Sequence, residues 1–200
     1  MPIKTIFVTC GATVPFPQLV EAVLSPRIVE ELLNLGFKRI IVQFGRNYRE
    51  SFTQSINVDQ SLPPSQTYLG FNGDPVHGFS QGSSGKLEII GFEYSTRIQD
   101  VIQENADLVI SHAGTGSILD SLRLGKPLIV CVNDTLMDNH QQEIADQFAS
   151  SNHLWACLPR VDDVVQCLRR SQTERTEPFP SAYNRNFEKA LEDLAYGTSN

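Results

Sequence analysis

The chain reads as an α/β protein built on a mainly parallel sheet, and three observations carry that reading. Short apolar runs rich in β-branched residues recur at residues 5–9 (TIFVT), 39–44 (RIIVQF), 108–111 (LVIS) and 128–132 (LIVCV). Continuous runs of this kind suit strands buried on both faces. Between the last two, Ile118, Leu119 and Leu122 fall at helical spacing, and the segment stops at Gly125-Lys126-Pro127. Strand, one-face-apolar helix and strand in so short a span define a βαβ crossover, which makes the sheet parallel.

The elements follow in order. Residues 5–9 run straight into Cys10-Gly11-Ala12-Thr13. That turn reads either as a tight βα connection or as a place where backbone meets a ligand, since it lacks the full G-x-G-x-x-G pattern. Pro15 and Pro17 bound a helix with Leu19, Val20, Val23 and Leu24 on one face. Ser25-Pro26 restarts a helix as N-cap and first residue, and Gly36 ends it. After the strand at 39–44, residues 47–86 turn polar, with Ser, Gln, Asn, Gly and three prolines. So long a stretch reads as a surface insertion or a functional lid, with a mobile turn at Gly82-Ser83-Ser84-Gly85. Residues 67–71 are expected to pair as a hairpin with 87–92, adding an antiparallel element to the sheet.

A helix capped by Ser95 with Ile98, Val101 and Ile102 inward leads to the strand at 108–111. The turn after it, His112-Ala113-Gly114-Thr115-Gly116-Ser117, is small enough for an anion to reach unpaired N–H groups at the positive end of a helix. Asp138 and Gln141 resemble a capping box, so Asn139, His140, Gln141 and Gln142 cluster in a first helical turn. That turn lies just past a strand's C-terminal end, where open α/β sheets bind ligands. A short strand at 154–157, a helix at 161–168 and a proline-containing connector follow. Tyr183, Phe187, Ala190, Leu191 and Leu194 form a last apolar helical stripe.

Composition sets the outer limits. The 200 residues carry a net charge of -7, without the basic stripe that a nucleic-acid binder needs. No apolar run approaches bilayer length, and the first residues lead into a strand rather than a signal peptide, so a cytosolic protein is expected. Cys10, Cys131, Cys157 and Cys167 lie far apart and read as free core thiols. HExxH and P-loop lysine patterns are missing from the sequence, which weighs against zinc hydrolysis and ATP hydrolysis. Asp120, one turn into its helix, suits the paired hydroxyls of a ribose or is a solvated residue favoured by the helix dipole. Of the four histidines, His112 and His140 stand near the expected cleft.

Three strings, VTCGATVPF, ADLVISHAGTGSILDSLRLGKPLIVCVND and MDNHQQEIAD, resemble the cytosolic subunits of the eukaryotic UDP-GlcNAc transferases that extend dolichol-linked GlcNAc, fungal members above all. The same region is similar, more distantly, to the nucleotide-sugar half of the bacterial lipid-II-forming GlcNAc transferase. The resemblance is strong over residues 4–46 and 87–150, moderate at SQTE and PFP, and weak over 47–86.

The resemblance implies a Rossmann-like fold of the GT-B C-terminal-half type. Residues 1–170 would form the nucleotide-sugar-binding domain, with 47–86 as its insertion and 171–200 as connector and terminal helix. It implies transfer of GlcNAc from UDP-GlcNAc to GlcNAc-diphosphodolichol with inversion, giving the β1,4-linked chitobiose. The other half of the site would come from a membrane-anchored, acceptor-binding partner that holds this chain on the cytosolic face of the endoplasmic reticulum. On pattern alone the terminal helix would fold back on its own domain or reach a partner; the resemblance favours docking on that partner.

Carried over by position, Gly11, Ala12 and Thr13 match the loop near the diphosphate. His112, Gly114, Thr115, Gly116 and Ser117 match the donor-facing turn and helix start. Asp120 stands where the family has a ribose-binding glutamate, and Phe92 where the uracil is lined. Asn139, Gln141 and Gln142 match readers of sugar hydroxyls. UDP-GlcNAc would be substrate, with no further cofactor; no DxD pair is present, so no metal is invoked. The catalytic base is expected on the partner, with His112 and His140 as fallbacks. Two other readings stay open: a non-catalytic nucleotide-sugar module that scaffolds a partner, and a nucleotide-dependent oxidoreductase. The missing G-x-G-x-x-G weighs against the latter.

Overall fold

The computed structural model describes residues 3–59, 71, 73–133 and 140–180. In chain order these form β1 (Thr5–Thr9), α1 (Pro17–Val23), α2 (Pro26–Asn34), β2 (Arg39–Gln43), α3 (Arg49–Gln54), β3 (Asn57–Val58), β4 (Val76–Gly82) and β5 (Gly85–Phe92). Then come α4 (Ile98–Asn105), β6 (Leu108–His112), α5 (Thr115–Arg123), β7 (Leu128–Cys131), α6 (His140–Ser150), β8 (Trp155–Cys157) and α7 (Val161–Thr173). Among the described residues the strands make one sheet in the order β3-β4-β5-β2-β1-β6-β7-β8. From β5 to β8 it is parallel; β3 and β4 join one edge antiparallel.

The strand pleat divides the apolar residues between two cores. Ile6, Val8, Ile40 and Val42 face α1, α2 and α7, which bring Leu19, Ile28, Leu32 and Leu168. Phe7, Ile41, Ile90 and Val109 face the opposite way, against Ile102, Ile118, Leu122 and Ala145 of α4, α5 and α6. All five residues of β1 are buried, as a central parallel strand covered on both faces requires. Each such Ile, Leu or Val contributes about 1.5–3 kcal/mol by burial. Apolar periodicity therefore outweighs local propensity in placing these elements.

The glycine stops behave as their positions suggest. Past α2, Gly36 takes φ +85°, its N–H bonds Leu33 O, and the N–H of Phe37 bonds Leu32 O. Past α5, Gly125 takes φ +65° with matching bonds to Leu122 and Ser121. Both are Schellman endings, which satisfy the last carbonyls of a helix.

The structure corrects several local expectations. The antiparallel partner of β5 is β4, at Val76–Gly82, rather than residues 67–71. Of the expected span, residues 67–70 lie outside the described residues, while Phe71 bridges Ser95 and stacks on Phe92 at 4.0 Å between ring centroids. The polar 47–86 stretch holds α3, β3 and β4. Its Gly82–Gly85 turn is tied down: the Ser83 N–H donates to Glu30 Oε2 at 2.7 Å, and the Ser84 hydroxyl bonds Glu30 and Asn34 on α2. Ser95 sits two residues before the N-cap Arg97, and its hydroxyl accepts the Arg97 N–H in a local turn. Helix α5 starts at Thr115, two residues earlier than its apolar stripe suggests, and α7 runs to Thr173.

From Glu174 the connector crosses the β8 side of the molecule. The Trp155 indole N–H donates to Glu174, the Glu177 N–H donates to Asn152 O, and Phe179 packs on Phe148 of α6. The apolar stripe from Tyr183 to Leu194 lies outside the described residues.

Candidate functional site

Strands β2 and β5 extend the sheet to one side of β1, while β6, β7 and β8 extend it to the other. The connections after β1 and β6 therefore diverge at their shared C-terminal edge. This topological switch point opens a crevice where doubly wound sheets bind ligands. Gly11 stands at one lip and Gly114 at the other.

Beneath this crevice the core ends in polar side chains. Thr9 is in register with Gln43 on one side and Ser111 on the other, and all three are buried. The Thr9 hydroxyl donates to Gln43 Oε1 at 2.7 Å and accepts the Gly11 N–H at 3.1 Å. Ser111 donates to His112 O at 2.7 Å. Gly11 takes φ +84°, a left-handed conformation that glycine adopts without cost, and so turns the chain away from the sheet. Ala12, Thr13 and Val14 follow as an exposed loop. Sequence reading missed Thr9, Gln43 and Ser111. The available signal is a polar residue ending an otherwise apolar strand just before a glycine-bearing turn.

His112 joins the two lips. Nδ1 lies 3.3 Å from Thr9 O, an acceptor only, so Nδ1 carries the proton and Nε2 is the acceptor. Burial holds the imidazole below the usual histidine value and therefore neutral. Its ring packs against both Gly11 and Gly114: a Cβ on Gly114 would collide with it, and one on Gly11 would meet it in tight contact at 3.0 Å. Gly114 is the N-cap of α5 and makes no side-chain cap. The N–H of Ile118, to Gly114 O, opens the intrahelical pattern, so those of Thr115, Gly116 and Ser117 precede it. Such a helix start attracts an anion.

Two adjoining cavities share Gly11. One, of about 210 Å³, is lined by Ala12, Gln43, Ser95, Gly116, Ser117 and Asp120. Gln99 on α4 donates to Asp120 Oδ1 at 2.8 Å and so orients that carboxylate. The other, of about 220 Å³, is lined by Thr13, Val14, His112, Asn133 and Gln141. Among the described residues Gln141 Oε1 is buried there with no hydrogen-bond partner. An orphaned acceptor costs about 1–3 kcal/mol, so it suits a ligand hydroxyl. The pair of cavities thus offers N–H groups and a carboxylate on one side and acceptors on the other.

Gly11, Ala12, Thr13, His112, Gly116, Ser117, Asp120 and Gln141 line these cavities, with Gly114 and Thr115 forming the helix start beside them. Gln142 is exposed and donates along its own helix to Asp146 at 2.7 Å. Phe92 is fully buried between Phe7 and Phe71 and lines neither cavity. Asn139 lies outside the described residues, and of His140 only its place at the start of α6 is described. All four cysteines are free thiols; burial pushes Cys10 up to about 12. Among the described residues no three His, Cys, Asp or Glu side chains gather as metal ligands.

Comparison with known proteins bears on the family and the fold. The glycosyltransferase family 28 C-terminal domain matches residues 5–195. The UDP-N-acetylglucosamine transferase subunit ALG13 of Saccharomyces cerevisiae is 50% identical over 201 residues, covering 96% of each chain. That of Homo sapiens is 35% identical, covering 79% of this chain and 11% of its own length. The NMR solution structure of ALG13 superposes with a TM-score of 0.70 at 50% identity, covering 95% of this chain and 96% of that one. The MurG structure from Acinetobacter baumannii shares the fold, with a TM-score of 0.55 at 16% identity over 87% of this chain and 42% of its own. The chain belongs to the glycosyltransferase family 28 C-terminal domains, among the UDP-N-acetylglucosamine transferase subunits of the ALG13 kind.

Proposed function

We propose that this chain is the donor-binding subunit of a two-chain enzyme that transfers GlcNAc from UDP-GlcNAc to GlcNAc-diphosphodolichol, inverting the anomeric carbon to form the β1,4-linked chitobiose. The observation that supports it best is the convergence of two glycine turns and the α5 N-terminus on neutral His112, beside the orphaned Gln141 carbonyl. A diphosphate suits the glycine turns, a ribose suits Asp120, and sugar hydroxyls suit Gln141, with Asn139 and Gln142 as further readers. UDP-GlcNAc is substrate here, and no further cofactor is proposed.

In this reading an acceptor hydroxyl oxygen attacks the anomeric carbon as the bond to the diphosphate breaks. UDP leaves with the electron pair, and the hydroxyl proton passes to a base. The charge that builds on UDP is met by the α5 N-terminus and the loop after Gly11, preorganised donors of the kind that stabilise departing anions. His112 Nε2 packs against the two glycines, which places it better to hold the turns than to meet an acceptor; His140 remains the other fallback. The base is therefore assigned to the partner subunit.

The partner reading rests on the chain resembling one half of a GT-B enzyme and on relatives named as subunits. Among the described residues no helix is long and apolar enough to cross a membrane. A membrane-anchored partner would then place the chain on the cytosolic face of the endoplasmic reticulum and supply the lipid-linked acceptor. Transfer to a short-chain GlcNAc-diphosphopolyprenol, measured with and without the partner, tests this. Transfer with both chains and none with either supports the split site. Full transfer by this chain alone contradicts it, and undiminished transfer by an Asp120→Ala complex contradicts a donor-binding role.

A further inference from the structure

Gln43 stands out among residues with no assigned part in this site. It is 4% exposed at the end of an apolar strand, where an amide is costly unless its polar atoms are used. Two of its oxygens are used, and both act on the same short stretch of chain. The backbone carbonyl accepts the Cys10 N–H at 2.9 Å. The side-chain Oε1 accepts the Thr9 hydroxyl at 2.7 Å.

The second bond has a directional consequence. A hydroxyl holds one proton, and here it is committed to Gln43. The remaining lone pairs of Thr9 Oγ1 are then available to the Gly11 N–H, which donates to it at 3.1 Å. Thr9 also offers its backbone carbonyl to His112 Nδ1 at 3.3 Å. Thr9 thus holds Gly11 with its side chain and His112 with its main chain, while Gln43 sets the rotation of the side chain. Gln43 also lines the cavity that contains Gly116, Ser117 and Asp120.

We propose that Gln43 is a positioning residue that acts through Thr9 to hold the Gly11 turn in its donor-binding conformation. The relay runs Gln43 Oε1, Thr9 Oγ1, Gly11 N–H. It rests on the donor-binding reading given above, because its consequence for activity is felt through UDP-GlcNAc. A plain structural role for Gln43 would lower stability alone. A relay moves the KM for the donor and loosens the Gly11 amide specifically.

The test uses the two-chain complex for kinetics and the labelled chain for amide exchange. Thr9→Val keeps the shape and removes the hydroxyl; Gln43→Leu removes its acceptor; Thr9→Ser restores the hydroxyl. Thr9→Val and Gln43→Leu are expected to raise the KM for UDP-GlcNAc about tenfold, as the loss of one buried hydrogen bond implies. Their kcat should stay within about threefold, and Thr9→Ser should return KM to near its original value. Exchange of the Gly11 amide should quicken about tenfold in Thr9→Val, while that of Val42 stays unchanged. Unchanged KM and Gly11 exchange in both variants would overturn the relay, as would a Thr9→Ser chain impaired as badly as Thr9→Val. If the unsubstituted complex makes no use of UDP-GlcNAc, the donor reading falls, and Gly11 exchange alone decides the relay.

Discussion

Nε2 of His112 occupies the place that a methyl group on Gly114 would need, 2.2 Å from where that carbon would lie. The same ring atom stands 3.1 Å from a methyl position on Gly11. Gly114, at an ordinary φ of -84°, is therefore required by a third residue, whereas Gly11 is required by its own φ of +84° and crowded by the ring; the imidazole acts as the spacer between the two turns.

Gly114→Ala follows from this contact. The methyl group would push the ring off Thr9 O or shift the start of α5. Overpacking of this kind costs about 1–3 kcal/mol. Donor affinity should fall at least tenfold, because both turns move together. Calorimetric titration with UDP-GlcNAc checks it; a Gly114→Ala chain that binds as tightly as the original contradicts the spacer role.

His112 also makes stability depend on pH. Burial lowers its proton affinity in the fold, whereas the unfolded chain titrates at the ordinary value near 6.5. Below that value the unfolded state binds more protons, so the stability present at higher pH is lost as pH falls. His112→Gln removes this contribution. Its urea-unfolding free energy should fall less steeply between pH 7.5 and 5.5, by up to about 1.4 kcal/mol per pH unit below 6.5. His77, lowered by burial as well, is present in both chains and cancels in the difference. Parallel curves would contradict the assignment.

Asp120 offers a kinetic test of the other cavity. Gln99 fixes one of its carboxylate oxygens, so the group is oriented before any ligand arrives. Asp120→Ala should raise the KM for UDP-GlcNAc tenfold or more, since hydrogen bonds to a charged group are worth about 1.5–3 kcal/mol. The kcat should change much less. An unchanged KM would remove Asp120 from the donor site.

Phe92 separates a core role from a ligand role. It is fully buried and stacked by Phe71, so Phe92→Leu should lower stability by about 1–2 kcal/mol. A variant with unchanged stability and a raised donor KM would instead place this ring beside the base.

The parts of the fold that were legible in the sequence are those where burial alone decides. TIFVT is apolar enough to be central, and β1 spans Thr5–Thr9 as read. Gly36 and Gly125 mark helix ends because a left-handed residue is needed there. β4 was not legible, because His77, Ser80 and Gln81 break its pattern. Its Gly78 is required by a neighbour: a side chain there would meet Asn57 O at 2.5 Å, a contact no local pattern reveals. Helix α3 buries only Phe52 and so shows no stripe.

Much the same division holds at the site. Glycine turns and the Asp120 spacing are local, so they could be read directly. The row of Thr9, Gln43 and Ser111 comes from three separate strands and exists only once register is set. Phe92 shows the converse: its position beside a glycine is local and legible, whereas the pleat that turns its ring toward the core is not.

Titration of the isotopically labelled chain with UDP-GlcNAc, followed by amide and side-chain NMR shifts, tests the central claim most directly. The largest changes should fall on Gly11, Gly114, Gly116, Ser117 and the side-chain amide of Gln141, with the opposite edge at β3 and β4 silent. Absence of any change at saturating donor, or changes confined to residues away from the β1 and β6 turns, would contradict it.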